Sequence, residues 1–127
     1  MKRSDAERAV QAEGKRLKKA LGLDLWEIDI SIGRCDGSLT LAEINVLDEY
    51  GSAAICLDHA RHESIDELKR SLRHEFLHIL MAPLARFQEI IAEANGEDFK
   101  PMPKLWAALE EQAITRLERT DIGHSSA

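Results

Sequence analysis

The feature that most constrains the fold is a change in hydrophobic period along the chain. Residues 26–32 alternate between apolar and polar side chains, and a period of two predicts a β-strand with one solvated face. Two further apolar segments, 39–47 and 52–58, follow after short turns and predict two more strands. From residue 4 to 21, and again from residue 64 onward, apolar residues recur at helical spacing. The chain is therefore expected to combine helices with one small sheet.

The first two helical segments begin with recognisable capping patterns. Ser4 is followed three residues later by Glu7, and Ser64 is followed in the same way by Glu67. This spacing is typical of a capping box, in which the two side chains satisfy N-terminal N–H groups. Pro83 lacks a backbone N–H, so the second helix is predicted to end or kink just before it.

Two further helices are predicted over residues 84–94 and from 103 to 119. Because strands and helices are segregated along the chain, the order predicts an α+β fold with a small sheet packed on helices. The short connections between the strands favour a three-stranded, mostly antiparallel sheet. A chain of 127 residues is expected to form a single domain over 1–127, with a frayed tail at 121–127.

Composition and charge exclude several classes of function. The formal net charge is -6, which gives no general attraction to phosphate backbones, so no nucleic-acid partner is expected. No apolar run reaches the length of a membrane span, so no membrane partner is expected. The charged N-terminus lacks the apolar stretch of a signal peptide. Cys35 and Cys56 are spaced for neither a CxxC pair nor a paired-thiolate zinc site, and we expect a cytoplasmic protein with reduced cysteines.

Residues 74–78 read His-Glu-Phe-Leu-His, an HExxH pentapeptide. Residues four apart lie on one face of a helix, so His74 and His78 can hold one metal ion between their ring nitrogens. Glu75 lies about 100° further round the helix, where its carboxylate can take a proton from a water on the metal. The pentapeptide therefore predicts a Zn²⁺ site with Glu75 as general base.

A catalytic zinc site usually needs a third protein ligand. The longer HExxHxxGxxH pattern is absent, because Met81 and Leu84 occupy its glycine and third-histidine positions. On a helical wheel of the last helix, Glu110 falls within the apolar arc and Glu111 lies about 100° further round. An ionised carboxylate on a core-facing stripe is costly unless a cation compensates it. Glu110 is therefore the predicted third ligand, and Glu111 is the alternative.

The segments 72–80, which holds the HExxH pentapeptide, and 110–118 resemble those of minimal zincin-type metallopeptidases of phages and prophages, which are compact gluzincins. The resemblance implies an N-terminal helix, a three-stranded sheet, an HExxH helix and a C-terminal helix that carries a glutamate ligand. It implies zinc held by the two histidines and one of the two glutamates, with Glu75 as general base. It also implies that the strand before the HExxH helix, residues 53–57, binds extended substrate by edge pairing.

We therefore expect a zinc-dependent metallopeptidase that acts on a peptide or protein substrate. The alternative is a zinc-stabilised binding module of the same fold with little or no proteolysis, because so small a chain leaves little room for a deep substrate cleft. No feature of the sequence indicates an oligomeric state. The candidates for a group that stabilises the oxyanion are His59, His62, Tyr50, Arg73 and Arg116.

Overall fold

The computed structural model of the chain describes residues 1–35, 41–47, 51–95 and 102–119. The predicted tail at 121–127 lies outside this part of the chain. Helices and strands follow one another as the α+β prediction requires, and none of the described helices has the length and apolarity to cross a membrane. In chain order the elements are α1 (Arg3–Ala20), β1 (Glu27–Ile32), β2 (Ala42–Leu47), β3 (Ser52–Leu57), a 3-10 turn (His59–Arg61), α2 (Ile65–Asn95) and α3 (Met102–Glu118).

The first helix begins two residues earlier than its capping pattern indicates. Arg3 is its first helical residue, and Lys2 is an N-cap whose side chain makes no capping hydrogen bond. The capping box predicted for Ser4 and Glu7 is therefore wrong, because Ser4 already lies inside the first turn. The helix is instead stabilised by its buried apolar face, as most helices in folded proteins are.

The start of α2 confirms its predicted cap, but the helix is longer than predicted. The Ser64 hydroxyl accepts a hydrogen bond from the N–H of Glu67 (3.1 Å), and the Glu67 carboxylate accepts one from the N–H of Glu63 (3.3 Å). The helix then continues through Pro83 to Asn95, so the two helices predicted on either side of the proline are one. Pro83 removes one main-chain hydrogen bond, but packing of α2 against α3 favours an uninterrupted helix.

The sheet is mixed and has the strand order β1-β3-β2. β1 runs parallel to β3, with Ile30 opposite Ile55, and β2 runs antiparallel to β3, with Ile44 opposite the same residue. The predicted antiparallel pairing of chain neighbours is therefore confirmed for β2 and β3, and it is wrong for β1, which pairs with β3 in parallel. The segment 33–51 between β1 and β3 contains β2, and it is long enough for the crossover that a parallel pair needs.

The two outer edges of the sheet differ. At β1, Arg3 donates a hydrogen bond to the carbonyl of Ile32 (3.0 Å) and Gln11 donates one to that of Ile30 (3.1 Å), so side chains of α1 cover this edge. β3 is central and has both edges paired, and the substrate edge implied for residues 53–57 by the family resemblance is therefore wrong. In the part of the chain that is described, β2 has no strand on its outer side.

One apolar core lies between α1, the sheet and the first half of α2. A buried ionic contact joins the two helices at its border, because Glu13 of α1 accepts hydrogen bonds from Arg16 and from Arg73 of α2, the latter at 3.0 Å. The contact with Arg73 holds the first half of α2 against α1. The buried apolar residues of the core are Ala6, Val10, Leu17, Leu23, Ile32, Ala53, Ile55, Leu57, Leu68, Leu72, Phe76 and Ile79.

The two cysteines form a disulfide, with 5.8 Å between the Cα atoms of Cys35 and Cys56. The expectation of two reduced cysteines is therefore wrong. The parallel pairing sets Ser31 opposite Cys56, so the turn after β1 lies close to the end of β3. This proximity depends on the register of the sheet, which the spacing of the cysteines in the sequence does not contain.

Candidate metal centre

His74 and His78 lie one turn apart on α2, beside its buried face. Phe76 and Ile79 on that face are buried in the core, which fixes the rotation of the helix and turns both imidazoles toward α3. The ring centroids are 5.0 Å apart, with an angle of 68° between the planes. Both side chains are partly exposed, so an ion from solvent can reach them.

Glu111 of α3 lies between the Nε2 atoms of the two histidines. Its Oε1 is 2.9 Å from Nε2 of His78, and its Oε2 is 3.4 Å from Nε2 of His74. One ligand atom from each of the three residues lies within 4.8 Å of the others. Two imidazoles and a carboxylate are a donor set that could hold a metal ion.

The Nδ1 atoms of the same histidines face two other carboxylates of α3. Oε1 of Glu110 lies 3.1 Å from Nδ1 of His78, and Glu118 is hydrogen-bonded to Nδ1 of His74. The side chains of Glu110 and Glu118 are 15% and 24% exposed, whereas that of Glu111 is 53% exposed. α3 thus presents three carboxylates to two imidazoles, one at each Nδ1 and one between the Nε2 atoms.

The structure separates the two glutamates that the sequence offers as a third ligand. Glu110, the preferred residue, contacts an Nδ1 atom, and Glu111, the alternative, faces both Nε2 atoms. The helical wheel places Glu110 nearer the buried stripe of α3. The three side chains that could hold a metal ion, His74, His78 and Glu111 (the metal group), lie instead at the solvent-facing border of the helix pair. The sequence analysis does not predict the contact of Glu118 with His74. Its position seven residues, or two turns, after Glu111 is the signal that could have found it.

Glu75 is a buried carboxylate next to this group, with 8% of the residue exposed. Burial raises the pKa of Glu75; His78 and His74 oppose this effect, and the charges of Glu111 and Glu118 add to it. A carboxylate with a raised pKa holds a proton more readily than one in water. The position of Glu75 therefore suits proton transfer beside a metal ion.

Two of the candidates for oxyanion stabilisation are engaged within the fold. His62 is buried; its Nδ1–H donates to the carbonyl of Asp58 (2.7 Å), which leaves Nε2 to accept a hydrogen bond from the Ser71 hydroxyl (2.7 Å). Arg73 donates to the Glu13 carboxylate at the border of the core. Both side chains therefore anchor α2 rather than point at the metal group.

The other three candidates lie in different places. Tyr50 is outside the described residues, and His59 belongs to the 3-10 turn before α2. Arg116 is the one that shares a surface with the metal group, because both it and Glu111 line a depression of about 300 Å³ that opens widely to solvent. The full lining of this depression is Glu111, Gln112, Thr115, Arg116 and Arg119.

Comparisons with known proteins identify no relative of this chain. No protein-family model, no curated protein and no solved structure matches the chain. The function is therefore inferred from the arrangement of the side chains and from the fold that holds them.

Proposed function

We propose that the protein is a zinc-dependent metallopeptidase. The observation that carries the proposal is the convergence of Nε2 of His74, Nε2 of His78 and the Glu111 carboxylate beside the buried carboxylate of Glu75. Helices that only pack against each other bury apolar side chains, and charged groups are rarely buried without a partner. A catalytic zinc site combines three protein ligands with an open position, and this group offers three.

Zinc suits this donor set better than magnesium or calcium does. Magnesium and calcium prefer oxygen ligands, whereas zinc accepts imidazole nitrogen together with carboxylate oxygen. When bound, the ion would lower the pKa of a water molecule and polarise the carbonyl of the substrate. His74 and His78 lie on a helix held by the core, so the two nitrogen donors keep their spacing, and Glu111 completes the group from α3.

Glu75 performs the proton transfers in this proposal. Its carboxylate takes one proton from the attacking water as the water oxygen bonds to the carbonyl carbon of the peptide. The proton then passes to the amide nitrogen as the carbon–nitrogen bond breaks, which leaves a carboxyl group and an amine. Burial raises the pKa of Glu75, and this makes the carboxylate a stronger base for the first transfer.

The outer edge of β2 is the place proposed for an extended substrate. The N–H of Asp58 donates to the carbonyl of Leu41 (3.0 Å), so the antiparallel register turns the backbone groups of Ala42, Ile44 and Val46 away from β3. These groups can pair with a peptide backbone added as a fourth strand. β2 also contacts α2, the helix that carries the two histidines.

A zinc-stabilised binding module is the second candidate, and the openness of the site favours it. Within the described part of the chain, the depression lined by Glu111 is wide and open rather than deep. A module that only binds a partner needs the ion for stability and has no use for proton transfer by Glu75. The role of Glu75 therefore distinguishes the two functions.

The test compares Glu75→Gln with the wild-type protein for zinc content and for cleavage of a proteome-derived peptide library. We expect unchanged zinc content by elemental analysis and a loss of cleavage of at least about 10²-fold, the scale of general-base catalysis. Glu93→Gln removes an exposed carboxylate of the same helix and should change neither quantity. If Glu75→Gln cleaved peptides at the wild-type rate, the mechanism would be overturned. If the wild-type protein took up zinc but cleaved no peptide, the binding module would be favoured.

A further inference from the structure

Glu110 and Glu118 make contacts that a three-ligand metal site does not by itself require. Each carboxylate faces the Nδ1 atom of one histidine, whereas the atoms that converge on one point are the two Nε2 atoms and the Glu111 oxygens. An ionised carboxylate can only accept a hydrogen bond. Glu111 offers the same kind of acceptor to both Nε2 atoms, so without a metal ion each neutral imidazole has one N–H for two carboxylates. A metal ion bound at Nε2 would need the lone pair of that nitrogen, which places the proton on Nδ1, against Glu110 or Glu118.

We propose that Glu110 and Glu118 are positioning residues that set the tautomer and the orientation of His78 and His74 before a metal ion binds. The inference rests on the proposed metal site. Neutral histidine can carry its proton on either nitrogen, and the hydrogen bond made by one nitrogen decides the state of the other. A carboxylate at Nδ1 also raises the basicity of the ligating nitrogen.

Burial supports this role. The side chains of Glu110 and Glu118 are 15% and 24% exposed, and an ionised carboxylate with so little access to water needs a compensating donor. The imidazole N–H supplies that donor in each case. In a region of low dielectric constant the same hydrogen bond is stronger than on an open surface, so each carboxylate restrains its ring.

The arrangement assigns one carboxylate to each histidine. α2 and α3 run antiparallel here, since Glu118 near the end of α3 reaches His74 while Glu110, eight residues earlier, reaches His78. Glu111 lies between them in the metal group. A single helix therefore supplies the third ligand and both orienting groups, and each orienting group is expected to act on its own histidine.

The experiment measures the tautomers of both histidines in the metal-free, ¹⁵N-labelled protein by long-range ¹H–¹⁵N spectra, at a pH where the same spectra show both rings to be neutral. Glu110→Ala should move His78 toward the Nε2–H tautomer and leave His74 unchanged, and Glu118→Ala should do the reverse. Each variant should also bind zinc about 10–100-fold more weakly, the usual effect of removing such a partner, in competition with a chromogenic chelator.

Two controls keep the result decisive. Glu110→Gln and Glu118→Gln retain a neutral acceptor and should restore part of the tautomer preference, whereas Glu93→Ala, an exposed carboxylate on α2, should change nothing. Unchanged tautomers, or an equal response of both histidines to either Ala variant, would overturn the inference. A wild-type protein that takes up no zinc instead refutes the proposed function, because the tautomers are measured without metal.

Discussion

The two faces of α2 pack through different kinds of interaction. Toward α1 and the sheet, α2 buries apolar side chains such as Leu72 and Phe76 in a continuous core. Toward α3, it presents His74 and His78 to carboxylates, and among the described side chains of α3, Ile114 is the buried one. The first contact is stabilised by hydrophobic burial. At the second, the carboxylate–imidazole contacts lie on the same helix pair as the buried Ile114, and we expect charge compensation to contribute most of the stability.

The largest effect is expected from removing an apolar side chain on the core face. Phe76→Ala deletes a ring that is 1% exposed, and such a deletion lowers the free energy of unfolding by about 3–5 kcal/mol, because it removes buried surface and leaves a cavity. The change should appear in urea unfolding followed by circular dichroism, as a lower midpoint for the whole molecule.

The matched substitution on the other face is Ile114→Ala, which truncates a side chain of α3 that is 0% exposed. Its cost should fall mainly on the docking of α3, with the midpoint of the core transition little changed. Hydrogen exchange resolved along the chain separates the two results. An equal fall in the stability of every element in both variants would contradict the division of α2 into two differently packed faces.

An intermediate effect is expected from the metal ion, and it should be local. Zinc at about 100 times its Kd stabilises the state that binds it by about 2.7 kcal/mol, so amide exchange in α3 should slow by up to about 100-fold. Exchange in α1 and the sheet should be unchanged, because their core does not include the metal group. A chelator should reverse the effect, and Glu111→Ala should abolish it.

The same measurement tests whether the two faces of α2 are packed by different interactions. Slower exchange in every element on addition of zinc would mean that the metal group and the core unfold together, as one unit. No change in α3, in a protein shown by elemental analysis to contain zinc, would mean that apolar packing around Ile114 is sufficient to hold the helix. Either result would show that charge compensation does not dominate the packing at this face of α2.

The sequence predicts features of the fold that depend on local pattern. The strand at 26–32 follows from strict alternation, and the Ser64 cap follows from a hydroxyl and a carboxylate three residues apart; both are present. Strand order and the Cys35–Cys56 disulfide depend on which segments meet in space. Chain neighbours can pair or leave room for a crossover, so the local pattern could not predict either.

At the candidate site, too, local spacing predicts some features, whereas others depend on which side chains meet in space. The spacing of His74 and His78 specifies their common face, because four residues are close to one turn of a helix. The choice between Glu110 and Glu111 depends on the rotation of α3 about its axis, and neighbouring residues differ by about 100° in that rotation. The contact of Glu118 with an Nδ1 atom depends in addition on the rotamers of both side chains. Periodicity therefore predicts the helix and leaves the assignment of its carboxylates open.

The smallest effect is expected from the ionic contact at the border of the apolar core. Burial alone would raise the pKa of Glu13, but the hydrogen bonds and charges of Arg16 and then of Arg73 outweigh it, and the pKa lies below its usual value of 4.5. A carboxyl group whose pKa is lowered by folding stabilises the protein above its unfolded pKa. That contribution is lost as the pH falls from about 4.5 through the folded pKa.

Glu13→Gln should therefore lower the free energy of unfolding at pH 7 by about 1–2 kcal/mol, because Arg73 loses a charged partner, and the loss should shrink as the pH falls below about 4.5. Glu7→Gln, an exposed glutamate of the same helix, is the matched control and should change stability little. Urea unfolding from pH 7 to pH 3, with and without zinc, measures both variants. If the cost of Glu13→Gln depended on zinc, the ionic contact between α1 and α2 would be coupled to the metal group, and the two faces of α2 would not be energetically independent.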